Sequence, residues 1–367
     1  MAQHRSARLD EFPSGRNSLS AIRWGLAVLV IVAHSFPLGG FAGDVRLGDM
    51  ELDDVAVAGF FALSGWLIIQ SRLSTDLATY AWRRVLRIYP GYLAVGVVVA
   101  FFFAPIGSLL GGGPWSVGDG VRYVLANDWL RVGAYNVGQT PMNVPFPGAW
   151  NGSLWTLYHE ALCYVLIGAI VSVVPRRHLT SVVVLAWAGL SFLAWGGGRG
   201  WFEQSATLQE FVSLAPYFFA GAALFVLRGR VPLHGAIALA ACLTSLIVLH
   251  QGLDAEFVAM PLAYCLLYLG VRLPFHRFGR RHDLSYGMYI YAFPVQQTLV
   301  LLGVASWGLV PYMVCSVLAT VPFAALSWFA VERPAQRRRR LLDRCPDRAA
   351  RPGRRGSVHR PELQPAP

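Results

Sequence analysis

The chain has 367 residues, 55% of them hydrophobic and 14% charged, against roughly 25% charged in an ordinary soluble domain. A mean hydropathy of +0.47 beside a formal net charge of +11 excludes a soluble protein and a soluble domain on a single anchor. The basic residues other than His are all Arg, clustered between apolar runs; this is the pattern of membrane topology, and no nucleic-acid partner is expected.

A membrane span takes about 20 mostly apolar residues. Hydropathy predicts ten, at 21–40, 55–71, 88–110, 151–174, 179–195, 208–227, 233–250, 255–272, 284–303 and 308–330, so the fold class expected is all-α and polytopic. No cleavage-site pattern follows the first run, which is expected to stay as a span. With the N-terminus in the cytoplasm, the connections 72–87, Arg176 and Arg177, Arg228 to Arg230, 272–281 and the tail from Arg333 all fall inside, and all are Arg-rich. The opposite connections hold Asp44, Asp49, Glu51, Asp53 and Asp54, then the Gly/Pro-rich segment 111–149, then 196–207 and Asp254. This asymmetry predicts both termini inside.

The expected division is a cytoplasmic N-terminal segment (1–20), a transmembrane domain (21–332) and an Arg/Pro-rich cytoplasmic tail (333–367) too poor in apolar residues to fold alone. The tail either lies against anionic membrane lipids or only fixes topology. Trp115, Tyr123, Trp129, Tyr135 and Trp150, in and beside the long outer segment, read first as an interfacial belt, with stacking on sugar rings as the alternative. The five Cys have neither disulfide nor metal spacing, and no metal is expected.

Within the first span stand Arg23 and His34. Eleven residues is close to three helical turns, so both fall on one face, about 16 Å apart. An ionisable side chain inside a span is costly and marks a functional site by default. Counting from the outer end puts Glu160 of the fourth span at a depth similar to that of His34. The pair is then either a His base oriented by a carboxylate or a polar contact joining two helices. His159 points about 100° away from Glu160 and reads as a packing or pore residue rather than a second base. Arg83, Arg84 and Arg87 form a cluster that either chelates a phosphorylated cofactor from the cytoplasmic side or simply anchors the span.

The motifs fall in an order that resembles the acyltransferase-3 family of membrane proteins. Arg23 and His34 reproduce its first-span Arg-x10-His. Gly59-Phe-Phe-Ala-Leu-Ser-Gly-Trp-Leu-Ile68, the Arg83-Arg84-x-x-Arg87-Ile-x-Pro90 segment, Asn151-Gly-Ser-Leu-Trp-Thr-Leu-Tyr-His-Glu160 followed by Tyr164, the late run from Asp283 to Gln297 and the closing 326–334 are similar to its later motifs. Together they cover about 20–334. Many members carry a His before the late Phe-Pro, where this chain has Ala292. The wording looks most like the branch that acylates exopolysaccharides and surface glycans, and no serine-hydrolase-like domain is expected after the tenth span.

The resemblance implies transfer of an acyl group, most often acetyl, from acyl-CoA to a carbohydrate or glycolipid hydroxyl at the bacterial plasma membrane. His34 would be the base, Glu160 its orienting partner, and Arg23 a contact for the cofactor or for negative charge. Arg83, Arg84, Arg87 and Tyr286 would bind the donor. Acylation of a small molecule such as a macrolide keeps the chemistry and changes the acceptor. A glycan or lipid transporter would explain charges within spans but not the ordered motifs, and no inverted repeat is visible.

Overall fold

The computed structural model describes residues 8–338 apart from 14, 15, 44, 49, 202 and 252–254. The tail predicted for 333–367 lies outside the described residues from 339 onward. Among the described residues eleven helices follow one another, ten of them long: α1 (Leu19–Gly39), α2 (Leu52–Ser74), α3 (Leu77–Leu109), the short α4 (Val117–Ala126), α5 (Trp155–Val173), α6 (Arg176–Gly198), α7 (Ala206–Val226), α8 (Gly235–His250), α9 (Ala259–Arg272), α10 (Ser285–Leu301) and α11 (Leu309–Arg337). Among the described residues the strands are a two-residue pair, β1 (Arg46–Leu47) and β2 (Met50–Glu51), in the α1–α2 connection. The protein is all-α and crosses the membrane several times. Seven of its helices are long and apolar enough to span, and the shorter α8, α9 and α10 coincide with the other three expected segments.

Two helices run further than hydropathy predicts. α3 begins at Leu77 rather than residue 88, because the Asp76 side chain caps it by accepting the Thr79 backbone N–H at 2.9 Å. Arg83, Arg84 and Arg87 are therefore part of a membrane helix rather than of a connection. At the other end of the chain, α11 continues through a π-helical stretch, Trp328–Glu332, and passes the expected boundary at 332.

Around the site stand α1, α2, α3, α5 and α10, with α7 and α11 behind them. α2 and α7 touch backbone to backbone. A Cβ at Gly65 would run into the Phe218 carbonyl, and one at Gly221 into that of Ala62. Small residues at such a crossing give van der Waals contact where lipid removes any hydrophobic drive between helices. The Arg-rich connections share one face of the bundle with the N-terminal segment, whose Leu9 is buried and whose Ser18 N–H donates to the Gly270 carbonyl.

The long segment ahead of α5 does not stay at the opposite face. Gln297 donates to the carbonyls of Phe146 and Ala149, Asn151 donates to that of Ile290, and the Tyr289 hydroxyl donates to that of Ser153. From Gln297 back to Ile290 is about 10 Å along α10. Residues 146–153 thus descend into the bundle as irregular, non-helical chain, and α5 begins well below the surface. Non-helical backbone is tolerated at that depth because it is enclosed by protein and its carbonyls are paired. Trp150 and Asn151 are almost fully buried.

Candidate active site

The polar side chains of these helices form a line from the Arg-rich face toward the opposite one. At its start, the Asp283 carboxylate ahead of α10 accepts from Arg23 on α1 and Arg87 on α3, both at 2.8 Å, and from the Ser285 hydroxyl at 2.6 Å. Burial pushes the Asp283 carboxyl up, but the two guanidiniums and the serine outweigh it and hold it well below the usual carboxylate range. The Tyr286 hydroxyl donates to the Ile88 carbonyl, and Arg87 lies over its ring. The guanidinium of Arg84 sits between the rings of Tyr80 and Tyr164, and its buried Nε has no hydrogen-bond partner.

One level further, a single Glu160 oxygen accepts from the Ser64 hydroxyl at 2.8 Å and the Tyr164 hydroxyl at 2.6 Å. A cavity of about 70 Å³ lies between Arg23, Ser64, Arg84, Arg87, Glu160 and Tyr286. A second, of about 40 Å³, shares Arg23, Ser64, Glu160 and Tyr286 and extends toward Thr156 and Tyr289, whose hydroxyls are 2.7 Å apart. Each has room for a few waters. Arg83 borders neither. A wider apolar groove of about 560 Å³ opens between α3 and α5, with Arg84 and Tyr164 on both its wall and that of the first cavity.

At the far end, His34 Nε2 is 3.3 Å from a carboxylate oxygen of Asp53, in the first turn of α2. The ring stands edge-on to Phe293, and its Nδ1 is buried without a partner. With Nε2–H donated to Asp53, Nδ1 carries the free lone pair of a neutral imidazole.

Arg23, Arg84, Arg87, Glu160 and Tyr286 thus line one small cavity, whereas the expected meeting of His34 and Glu160 does not occur. Glu160 meets α2 at Ser64, eleven residues and about 16 Å from Asp53. Counting fails because α5 starts inside the bundle, so a residue near its N-terminus is already deep. Sequence reasoning passed over Asp53, grouped with the acidic outer connection, and also Ser64 and Asp283. The signal for Asp53 was its place in the first turn of a span. The signal for Asp283 was a carboxylate beside a motif facing two Arg-bearing helices. His159 packs among Trp155, Tyr158 and Phe211. Ala292, where relatives of the resemblance carry His, belongs to a closed apolar cluster with Ala27, Ile31, Met288 and Ala324, apart from the polar line.

Comparison with known proteins agrees with the ordered motifs. A family model described as an acyltransferase domain matches residues 16–329. An O-acetyl transferase of Shigella phage Sf6 is 26% identical over 334 residues, covering 86% of this chain and 95% of that protein. Nodulation protein 10 of Rhizobium leguminosarum bv. viciae is 25% identical over 374 residues, covering 91% and 97%. The acyltransferase MdmB of Streptomyces mycarofaciens is 33% identical over 124 residues, 31% of each chain. No solved structure matches the chain significantly. A match over nearly all of the described helices, together with relatives aligned almost end to end, shows that the chain belongs to the acyltransferase-3 family of membrane enzymes, of the O-acetyltransferase type.

Proposed function

We propose that this acyltransferase takes an acyl group, acetyl in the simplest case, from acyl-CoA in the cytoplasm and gives it to a hydroxyl of a cell-surface or exported carbohydrate at the bacterial plasma membrane. The observation that carries the reading is His34: one ring nitrogen is held by Asp53 and the other is left without a partner. In the reaction, Nδ1 takes the proton of the acceptor hydroxyl as its oxygen attacks the thioester carbonyl. The C–S bond breaks, and the proton passes from His34 to the departing thiolate. Asp53 fixes the ring and stabilises the imidazolium while it carries that proton. Because Nδ1 is buried, the acceptor has to displace neighbouring side chains to reach it.

Arg23 stands about 16 Å from His34, too far to touch an oxyanion there, and falls to the donor side. The pantetheine arm has about the length of four extended peptide residues, about 14 Å, close to the distance from Arg23 to His34. Its phosphate end would lie near Arg84 and Arg87, with Arg83 toward the membrane surface, and its amides would pass Glu160, Ser64 and Tyr286. The cavities there are narrower than the arm, so side chains must part to admit it. The N-terminal segment, Arg-rich connections and tail lie in the cytoplasm in this reading, against membrane lipids.

The test compares ester content of surface glycans in wild type, a deletion strain, and the deletion carrying His34→Ala at matched protein level. Loss of esters that His34→Ala fails to restore supports the reading. Esters unchanged in the deletion sink the glycan acceptor, and full restoration by His34→Ala sinks the base assignment.

A further inference from the structure

The Arg-rich face carries a feature that the polar line does not use. A basin of about 1120 Å³ lies where the α9–α10 connection meets the N-terminal segment, lined by Arg16, Arg277, Arg280 and His276 together with Phe275 and Phe278. None of the described residues lining it is acidic. Phe275 and Phe278 are 53% and 46% exposed, and Phe278 also meets Trp24, the neighbour of Arg23, edge-on.

Flat basic patches with loose aromatics are ordinary at a membrane surface, but this basin has walls that are tied together. Ser18, itself buried, donates to the Leu273 carbonyl at 2.7 Å and lies 3.3 Å from His276 Nδ1. Ser18 N–H donates to the Gly270 carbonyl, and Gly279 packs so closely on Ser20 that a Cβ there would be 2.9 Å from the serine's own. Four residues after Gly279 stands Asp283, which holds Arg23 and Arg87 at the mouth of the inner cavity.

We infer that this basin binds the 3′-phosphoadenosine end of the acyl-CoA donor. The inference rests on the donor reading above and adds where the nucleotide sits. Three guanidiniums, with no carboxylate among the described lining residues, suit a dense cluster of phosphate charge. Exposed phenyl faces among them suit a purine, with stacking as the sequence-independent contact. Placement beside Asp283 lets the pyrophosphate cross to Arg87 and the pantetheine arm enter along α1. Anionic lipid headgroups offer the same phosphate chemistry without the purine, and the experiment separates the two.

The full-length protein in nanodiscs is assayed with acetyl-CoA, acetyl-3′-dephospho-CoA and S-acetylpantetheine as donors. The assay is repeated for Arg277→Ala/Arg280→Ala and for Phe278→Leu. Wild type is expected to show a KM about tenfold lower for acetyl-CoA than for the dephospho donor. The double Arg variant should raise KM for acetyl-CoA about tenfold and erase that difference, leaving acetylpantetheine within about twofold. Phe278→Leu should weaken both nucleotide donors together. Retention of the wild-type discrimination in the double variant overturns the inference while leaving the donor reading intact. So does a variant with normal KM that loses only its preference for phosphatidylglycerol-containing over phosphatidylcholine nanodiscs. A wild-type protein that neither binds nor turns over acetyl-CoA overturns both.

Discussion

Two carboxylates decide what the ionisable residues of α1 can do, and they do so differently. Under the proposed reaction, Asp53 makes His34 a directed base. Asp53→Asn keeps the shape and removes the charge, and is expected to lower kcat about 100-fold or more, with donor KM little changed. Asp53→Glu, which keeps the carboxylate, should recover much of that loss, and equal damage from both variants would argue for a packing role. Asp283 instead neutralises Arg23 and Arg87 together. Its side chain is 21% exposed, so Asp283→Asn leaves two half-buried guanidiniums without a counter-ion and should cost roughly 2–3 kcal/mol, seen as a lower Tm in detergent. Because its folded-state pKa is depressed, this contribution is present above the unfolded value near 4 and is lost only as pH falls below it. The Tm gap between wild type and Asp283→Asn should therefore stay constant from pH 6 to 9 and close below about pH 4.

At the scale of elements, the descending chain at 146–153 sets the geometry of the site. It sinks the start of α5, which carries Glu160 away from His34, and it puts Gly152 against Phe293, the ring beside His34. A Cβ at Gly152 would be 2.6 Å from that ring. Gly152→Val is expected to displace Phe293 and lower activity at least tenfold while the protein still inserts and purifies as a monodisperse species. Wild-type activity in that variant would show that the packing of Phe293 does not matter for the base. α3 makes a complementary point. Hydropathy starts this helix after its Arg residues because they are charged, yet its capped first turns carry them into the bundle. There they find aromatic faces and the carboxylate of Asp283.

Taken whole, the molecule is polarised. The N-terminal segment, the Arg-rich connections, the cavity beside Arg23 and Arg87 and the basic basin share one face, while His34 and Asp53 lie toward the other. Under the proposed reaction this face is cytoplasmic, since a donor made inside the cell must meet it. Alkaline phosphatase fused after Arg338 should be inactive and a green fluorescent protein fused there should fluoresce; a reporter in the 111–116 connection should give the opposite pattern. Reversal of both would invert the direction of transfer and place the basin outside.

Composition and motif order were enough to establish a multi-spanning acyltransferase, because apolar length, Arg asymmetry and short motifs are properties of consecutive residues. They also singled out Arg23, Arg84, Arg87, Glu160 and Tyr286, each a charge or hydroxyl that lipid cannot solvate, but set Glu160 beside His34 rather than among the others. They could not find the partner of His34. That depends on the depths at which α2 and α5 begin, and the depth of α5 follows from where Gln297, Asn151 and Tyr289 pin a stretch of irregular chain. Only the tertiary structure decides this, since counting residues along one helix carries no information about how far its neighbour has been drawn into the bundle.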